Sequence, residues 1–163
     1  MFKRNVGLLW VLLVVAVVPA QASAFALPEG FVYVTDVVDT VQLDIRYYGD
    51  YNFIGTRVDG YEAPVAILTK QAAEALKVAA EILEKQGYYI KIFDAYRPQR
   101  AVDHFVRWGK DLEDQKMKEF FYPDVDKALL FELGYIAKRS SHTRGSVVDL
   151  TLVYKDTGEE VDM

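Results

Sequence analysis

Apolar positions recur along this chain with two periods, and the switches between them mark the elements. Across residues 69–86, Ala72, Leu76, Ala79, Ala80 and Leu83 fall at helical spacing and form one apolar stripe. Thr69 offers an N-cap hydroxyl ahead of that stripe, and Gly87 supplies a stop behind it. Residues 88–93 then alternate, with Ile90 and Ile92 on one face, which predicts a strand. Asp94-Ala95-Tyr96-Arg97-Pro98 ends it, and Pro98 suits the first turn of a second helix because its missing N–H is not needed there. Ala101, Val102, Phe105 and Trp108 carry that helix to about residue 108. Upstream, residues 32–45 are rich in Val, Thr and Asp with partial alternation, enough for one or two short strands. Residues 47–61 scatter Gly49, Asn52, Gly55 and Gly60 among aromatics, a loop ordered by ring packing. Helix and loop follow through residues 110–132, and residues 146–154 are strongly β-prone. The order is mixed, without strict βαβ alternation. It predicts an α+β fold, a small antiparallel-rich sheet with helices packed on it, in one domain over residues 25–163.

The first two dozen residues follow a different pattern. Lys3 and Arg4 precede an uncharged apolar run over residues 6–18, Pro19 breaks it, and Ala22-Ser23-Ala24 supplies small residues. Residues 1–24 therefore read as a signal peptide cleaved after Ala24, which exports the domain to a bacterial periplasm or beyond. The apolar run falls short of the roughly 20 residues of a membrane helix, so no stable span is expected after cleavage.

Composition narrows the chemistry. The absence of cysteine excludes disulfides, thiolate zinc sites, iron–sulfur clusters and a cysteine nucleophile. A net charge of -5 gives no general attraction to phosphate backbones, so no nucleic-acid partner is expected. Only 2 histidines are present, which rules out a His-rich metal site. Phosphate-binding loops, dinucleotide fingerprints and serine-hydrolase elbows are also missing from the sequence.

Four residues remain as candidates on their own chemistry. His142 stands in the polar run 139–145, and Asp149 lies within a β-prone stretch where a buried charge needs a partner. That partner is either an Arg or backbone N–H groups, or a metal shared with the imidazole. Arg97, held stiffly before Pro98, could bind a carboxylate or an oxyanion, or could simply pair with Asp94 or Asp103. His104 lies beside Arg107 on what reads as a half-exposed helix face and is the weaker ligand candidate.

At these residues the chain resembles the zinc D-alanyl-D-alanine dipeptidases of the VanX type. The resemblance is carried by Leu43-Asp44-Ile45-Arg46-Tyr47, Asn52-Phe53-Ile54-Gly55, Asp94-Ala95-Tyr96-Arg97-Pro98-Gln99, Tyr122-Pro123 and Gly134-Tyr135. It continues through Ser140-Ser141-His142-Thr143-Arg144-Gly145-Ser146-Val147-Val148-Asp149 and on to Asp156-Thr157-Gly158-Glu159. It implies a D,D-peptidase/Hedgehog-like fold and one zinc per chain held by His142 and Asp149. It also implies that Arg97 stabilises the transition-state oxyanion and that Tyr47 and Ser140 help hold the amino end of a dipeptide. The implied activity is hydrolysis of D-Ala-D-Ala, linked to cell-wall peptidoglycan. The family continues past the equivalent of Met163 into a Glu-x-x-His segment, which supplies the general base and a third zinc ligand. No histidine follows His142 here, so these residues are expected to form a C-terminally incomplete site. A D,D-carboxypeptidase of the same fold and a non-catalytic D-Ala-binding remnant are the alternatives. Exported protein should begin at Phe25 on N-terminal sequencing; a membrane-held product retaining Met1 would contradict the cleavage.

Overall fold

The apolar stripe at residues 69–86 folds as α1 (Lys70–Lys85) in a computed structural model that describes residues 27–163. The segment read as a signal peptide, residues 1–24, lies outside the described residues. Thr69 caps α1 by accepting the Ala72 N–H at 3.3 Å. Gly87, with φ of 90°, turns the chain straight into β4 (Tyr88–Asp94), a backbone conformation that a Cβ would strain.

β4 is the central strand of a three-stranded sheet. β2 (Gln42–Leu43) runs parallel on one side and β5 (Asp149–Tyr154) antiparallel on the other. Ile90 and Ile92, which face Leu152 and Leu150 across the ladder, are both buried. The register then slips, so that Asp94 rather than Phe93 stands opposite Asp149. A second, two-stranded antiparallel sheet pairs β1 (Phe31–Tyr33) with β3 (Ile67–Thr69). The fold is α+β in a single domain, with its strands divided between two sheets rather than gathered in one. Thr69 explains part of that division, because it is both the last residue of β3 and the cap of α1.

Two element boundaries differ from the sequence expectation. α2 (Gln99–Lys110) starts one residue after Pro98, whose φ of −65° and ψ of 151° make it the cap instead of the first turn. The strand expected from residue 146 begins only at Asp149, after a stretch anchored to β3 at Gly145. The Gly145 carbonyl accepts the Thr69 N–H at 2.7 Å, which ties this stretch to β3. Gly145 itself is left-handed at φ 69°, and a Cβ there would lie 2.5 Å from the Phe31 ring.

Residues 47–61 form the expected irregular loop, and its order has two sources. Tyr47 packs against Phe53, Tyr61 and Phe105 with centroids 5.0–5.9 Å apart, and Phe53 continues the layer to Trp108 at 5.1 Å. Buried Asn52 does the rest. Its amide donates to the Gly49 and Thr56 carbonyls at 2.9 Å, and its Oδ1 accepts the Ile54 and Gly55 N–H groups. One side chain thereby replaces the ladder that a loop lacks.

Residues 111–140 carry only short elements, among them α3 (Lys118–Phe121). A buried lysine organises the start of this region. Lys127 is 1% exposed, and its ammonium donates to the carbonyls of Asp111 and Asp114 while lying 3.7 Å from the Trp108 ring centroid. Burial pushes its pKa down. The cation fills carbonyl sites that no secondary structure satisfies. Among the described residues no helix is long and apolar enough to cross a membrane. Lys127→Met keeps most of the side-chain stem but orphans the two carbonyls, so it should cost about 1–3 kcal/mol in urea unfolding. A midpoint equal to that of the unaltered protein would show that the loop does not depend on the ammonium.

Candidate active site

The register slip at the end of β4 brings three distant stretches of chain to one place. Asp94 ends β4, Asp149 opens β5, and a single 3-10 turn over Ser141–Arg144 carries His142 against both. Ser140 caps that turn by accepting the His142 N–H at 3.2 Å. The Arg97 N–H donates to the His142 carbonyl at 3.3 Å, so the segment before α2 and the histidine turn are joined through their backbones.

The imidazole is oriented by the backbone. His142 Nδ1 lies 2.9 Å from the Ala95 carbonyl oxygen, which can only accept, so Nδ1 carries the proton. Nε2 faces the other way, 3.4 Å from Asp149 Oδ1. In the protonated imidazole, Nε2–H faces the Asp149 carboxylate; that bond outweighs burial and raises the His142 pKa, and it lowers that of Asp149. The expectation of a buried Asp149 is corrected here. As the first residue of its strand, it has a side chain 50% exposed.

The buried acid is Asp94, at 1% exposure. Its Oδ1 accepts the Tyr61 hydroxyl at 2.7 Å, and its Oδ2 accepts Arg97 Nε at 3.0 Å and Nη2 at 2.8 Å. Burial pushes the Asp94 carboxyl up, while Arg97 and Tyr61 oppose that shift. Desolvation works against the Arg97 cation, but the charge and hydrogen bonds of Asp94 together with the neighbouring Tyr47 and Tyr61 outweigh it, and the net shift is upward. The guanidinium carbon also stands 5.2 Å from the Tyr47 ring centroid and 5.1 Å from that of Phe105. Its remaining edge is directed to Ser140 Oγ, 3.5 Å from Nη1, and to Asp149 Oδ2, 3.5 Å from Nη2.

Arg97, His142, Asp149, Ser140 and Tyr47 therefore meet in one site. Burial raises the Tyr47 phenol to about 12, against the opposing Arg97 charge, so it is neutral near pH 7. His104 is elsewhere. Its Nδ1 accepts the Asp59 N–H at 3.1 Å, and Asp59 also pairs with Arg107 at 2.6 Å. Asp103 takes the Gln99 amide at 3.0 Å and leaves Arg97 to Asp94. The sequence marks Asp94 only as one possible partner of Arg97 and does not mark Tyr61. The i, i+3 spacing of Asp94 and Arg97 at a strand end was the available signal for the first. Nothing in the aromatic run marked the second.

Asp94, His142 and Asp149 each bring a ligand atom within 4.8 Å of the others. Asp94 is the least suited of the three to bind a metal. Both its oxygens are already hydrogen-bonded, and it lies on the Nδ1 side of the ring, 3.4 Å from that nitrogen. Nε2 and the Asp149 carboxylate present lone pairs to each other's side at 3.4 Å. Two donors bound at about 2.0–2.1 Å to one tetrahedral ion sit about 3.3–3.4 Å apart, so this nitrogen–oxygen pair fits zinc.

A family model described as D-ala-D-ala dipeptidase, of the M15 peptidases, matches residues 28–163. The D-alanyl-D-alanine dipeptidase of Enterococcus faecium is 42% identical over 134 residues, 82% of this chain and 66% of the relative. That of Enterococcus faecalis is 44% identical over 135 residues, covering 83% and 67%. The Streptomyces coelicolor protein of the same name is 43% identical over 129 residues, covering 79% and 64%. The chain thus spans about two thirds of the length of these relatives.

The His142–Asp149 pair makes metal-free stability depend on pH. The raised imidazole pKa gives a contribution that is complete below 6.5 and lost as pH rises through the folded value. The lowered Asp149 pKa gives one that is complete above 3.8 and lost as pH falls through the folded value. With chelator present, Asp149→Asn should therefore destabilise most between 3.8 and 6.5, the difference shrinking as pH rises well above that window. Urea midpoints across pH decide it, and a pH-independent difference would mean that the two groups are not coupled.

Proposed function

We propose, from the premise that this chain belongs to the D-ala-D-ala dipeptidase family of M15 peptidases, that its site hydrolyses the D-alanyl-D-alanine dipeptide. The observation that carries this reading is an arginine fixed by a buried acid beside an open imidazole–carboxylate pair. His142 Nε2 and Asp149 would hold zinc, which acidifies bound water and polarises a peptide carbonyl. Arg97 has five N–H donors, two of which Asp94 consumes. The rest lie on the edge facing Ser140 and Asp149, where they meet the negative charge that develops on the scissile carbonyl oxygen. The neutral Tyr47 phenol and the Ser140 hydroxyl offer acceptors to the substrate's amino end without adding charge. The resemblance assigns the general base and third ligand to a Glu-x-x-His segment.

We further propose that the work is done outside the cytoplasm, on dipeptide from cell-wall peptidoglycan, as the export pattern of residues 3–24 supports. The half-exposed Asp149 leaves one side of the pair open, and this is what favours a D,D-carboxypeptidase as the second reading.

The test is D-alanine release from D-Ala-D-Ala, with an acylated D-Ala-D-Ala peptide as the competing substrate. The proteins are the zinc-loaded chain and a chimera carrying, after Met163, the Glu-x-x-His segment that the family resemblance implies. The chimera should prefer the free dipeptide, and the 163-residue chain should turn over negligibly. In the chimera, Arg97→Ala should lower kcat by roughly 10²–10³ with zinc content unchanged. Preference for the acylated peptide would favour the second reading, and inactivity of both proteins on both substrates would sink the hydrolase.

A further inference from the structure

The Asp94–Arg97 pair departs from the usual geometry of its kind. A carboxylate and a guanidinium ordinarily meet fork to fork, with two parallel N–H···O bonds to two separate oxygens. Here Nε and Nη2 both donate to Oδ2, at 3.0 and 2.8 Å, and Oδ1 is turned away to the Tyr61 hydroxyl at 2.7 Å. The carboxylate is 1% exposed, so no bulk water competes for Oδ1. Without the phenol, Oδ1 would be left unpaired in the interior, which is costly for a charged group. The simplest relief is rotation of the carboxylate to share both oxygens with Arg97.

That rotation would carry the guanidinium with it. Its outer edge is set by two 3.5 Å approaches, Nη1 to Ser140 Oγ and Nη2 to Asp149 Oδ2, and neither is short enough to hold the group alone. Tyr61 is itself firmly seated. It is 6% exposed and packs on Tyr47 at 5.4 Å. Gly60 before it has φ of 95°, and a Cβ there would lie 2.7 Å from Pro98. The loop carrying Tyr61 thus abuts the proline that follows Arg97.

We propose that Tyr61 is a positioning residue: its hydrogen bond to Asp94 holds the carboxylate off the fork geometry and so aims the free edge of Arg97 at the reacting carbonyl. What that edge does rests on the dipeptidase reading, but its orientation does not. The test pairs crystal structures of the unaltered chain, Tyr61→Phe and Tyr61→Leu with kinetics of the Glu-x-x-His chimera. Tyr61→Phe removes one oxygen and keeps the packed ring. Its structure should show Nε and Nη2 on separate Asp94 oxygens, with the Nη1–Ser140 approach lost. Tyr61→Leu, which also removes the phenol and leaves Oδ1 without its donor, should lose the same approach, and it decides the matter if Tyr61→Phe does not fold.

In the chimera, Tyr61→Phe should lower kcat about tenfold, with KM within about twofold and zinc content unchanged. It should have no further effect once Arg97 is already Ala, which a general structural role would not produce. A guanidinium in its original place in the variants that fold would overturn the proposal. So would equal losses in kcat with and without Arg97. If the parent chimera is inactive while the guanidinium turns as described, the dipeptidase reading fails and the positioning role stands.

Discussion

A carboxylate in the interior of a small domain is the constraint around which this structure is arranged. Asp94 lies at the end of the central strand, 1% exposed, where an unpaired charge would be prohibitive. Two residues from two stretches of chain relieve it, Tyr61 from the aromatic loop and Arg97 from the turn before α2, while His142 Nδ1 stands 3.4 Å away and adds a counter-charge only when protonated. Removing Tyr61 or Arg97 leaves a buried charge short of a partner, so the acid specifies their mutual placement more than it adds to stability. The pieces that must be held for chemistry are the pieces the buried acid needs.

The backbone makes the same arrangement from the other direction. β4 and β5 pair in register up to Ile92 and then slip, placing Asp94 opposite Asp149. An unslipped ladder would have set Phe93 there. The slip gives one strand end two carboxylates with opposite environments, one buried and ion-paired, the other half exposed. The His142 imidazole stands between them, with Nδ1 toward the first and Nε2 toward the second. Burial pushes the Asp94 carboxyl up, and the imidazole lowers that of Asp149. Two acids of the same chain thereby become an anchor and a free donor.

The long periodic elements were legible in the sequence because local pattern and tertiary burial agree in them. α1 is capped by the threonine its spacing indicated, and Ile90 and Ile92 point inward as alternation required. Short strands were less legible, because two- and three-residue strands such as β2 and β3 carry no period of their own and exist through their partners. The same limit acted at the site. Asp149 stood out as an acid in a β-prone stretch, Arg97 by its stiff place before Pro98, and His142 as an imidazole in the polar run that precedes that acid. Tyr61 did not, since one more tyrosine in an aromatic loop reads as packing, and only the fold brings its hydroxyl to Asp94. Asp149 misled in the opposite way, because a strand that starts at the aspartate leaves it half in solvent.

Arg97 shows why a structural and a chemical reading of one residue need not compete. Its guanidinium is bound on one edge by Asp94, stands within cation–π distance of Tyr47 and Phe105, and is open on the remaining edge. A lysine could satisfy the buried charge, but its ammonium is a compact point charge on a flexible stem. It could not occupy the acid with one set of donors and hold another set in a fixed plane beside His142 and Asp149. The ion pair that keeps the interior tolerable therefore also pre-organises the open donors, and no reorganisation is needed when negative charge appears before them. Stability and chemistry are coupled here through the planarity of one side chain, and that coupling explains why the site is built at the end of a buried strand rather than on a surface loop.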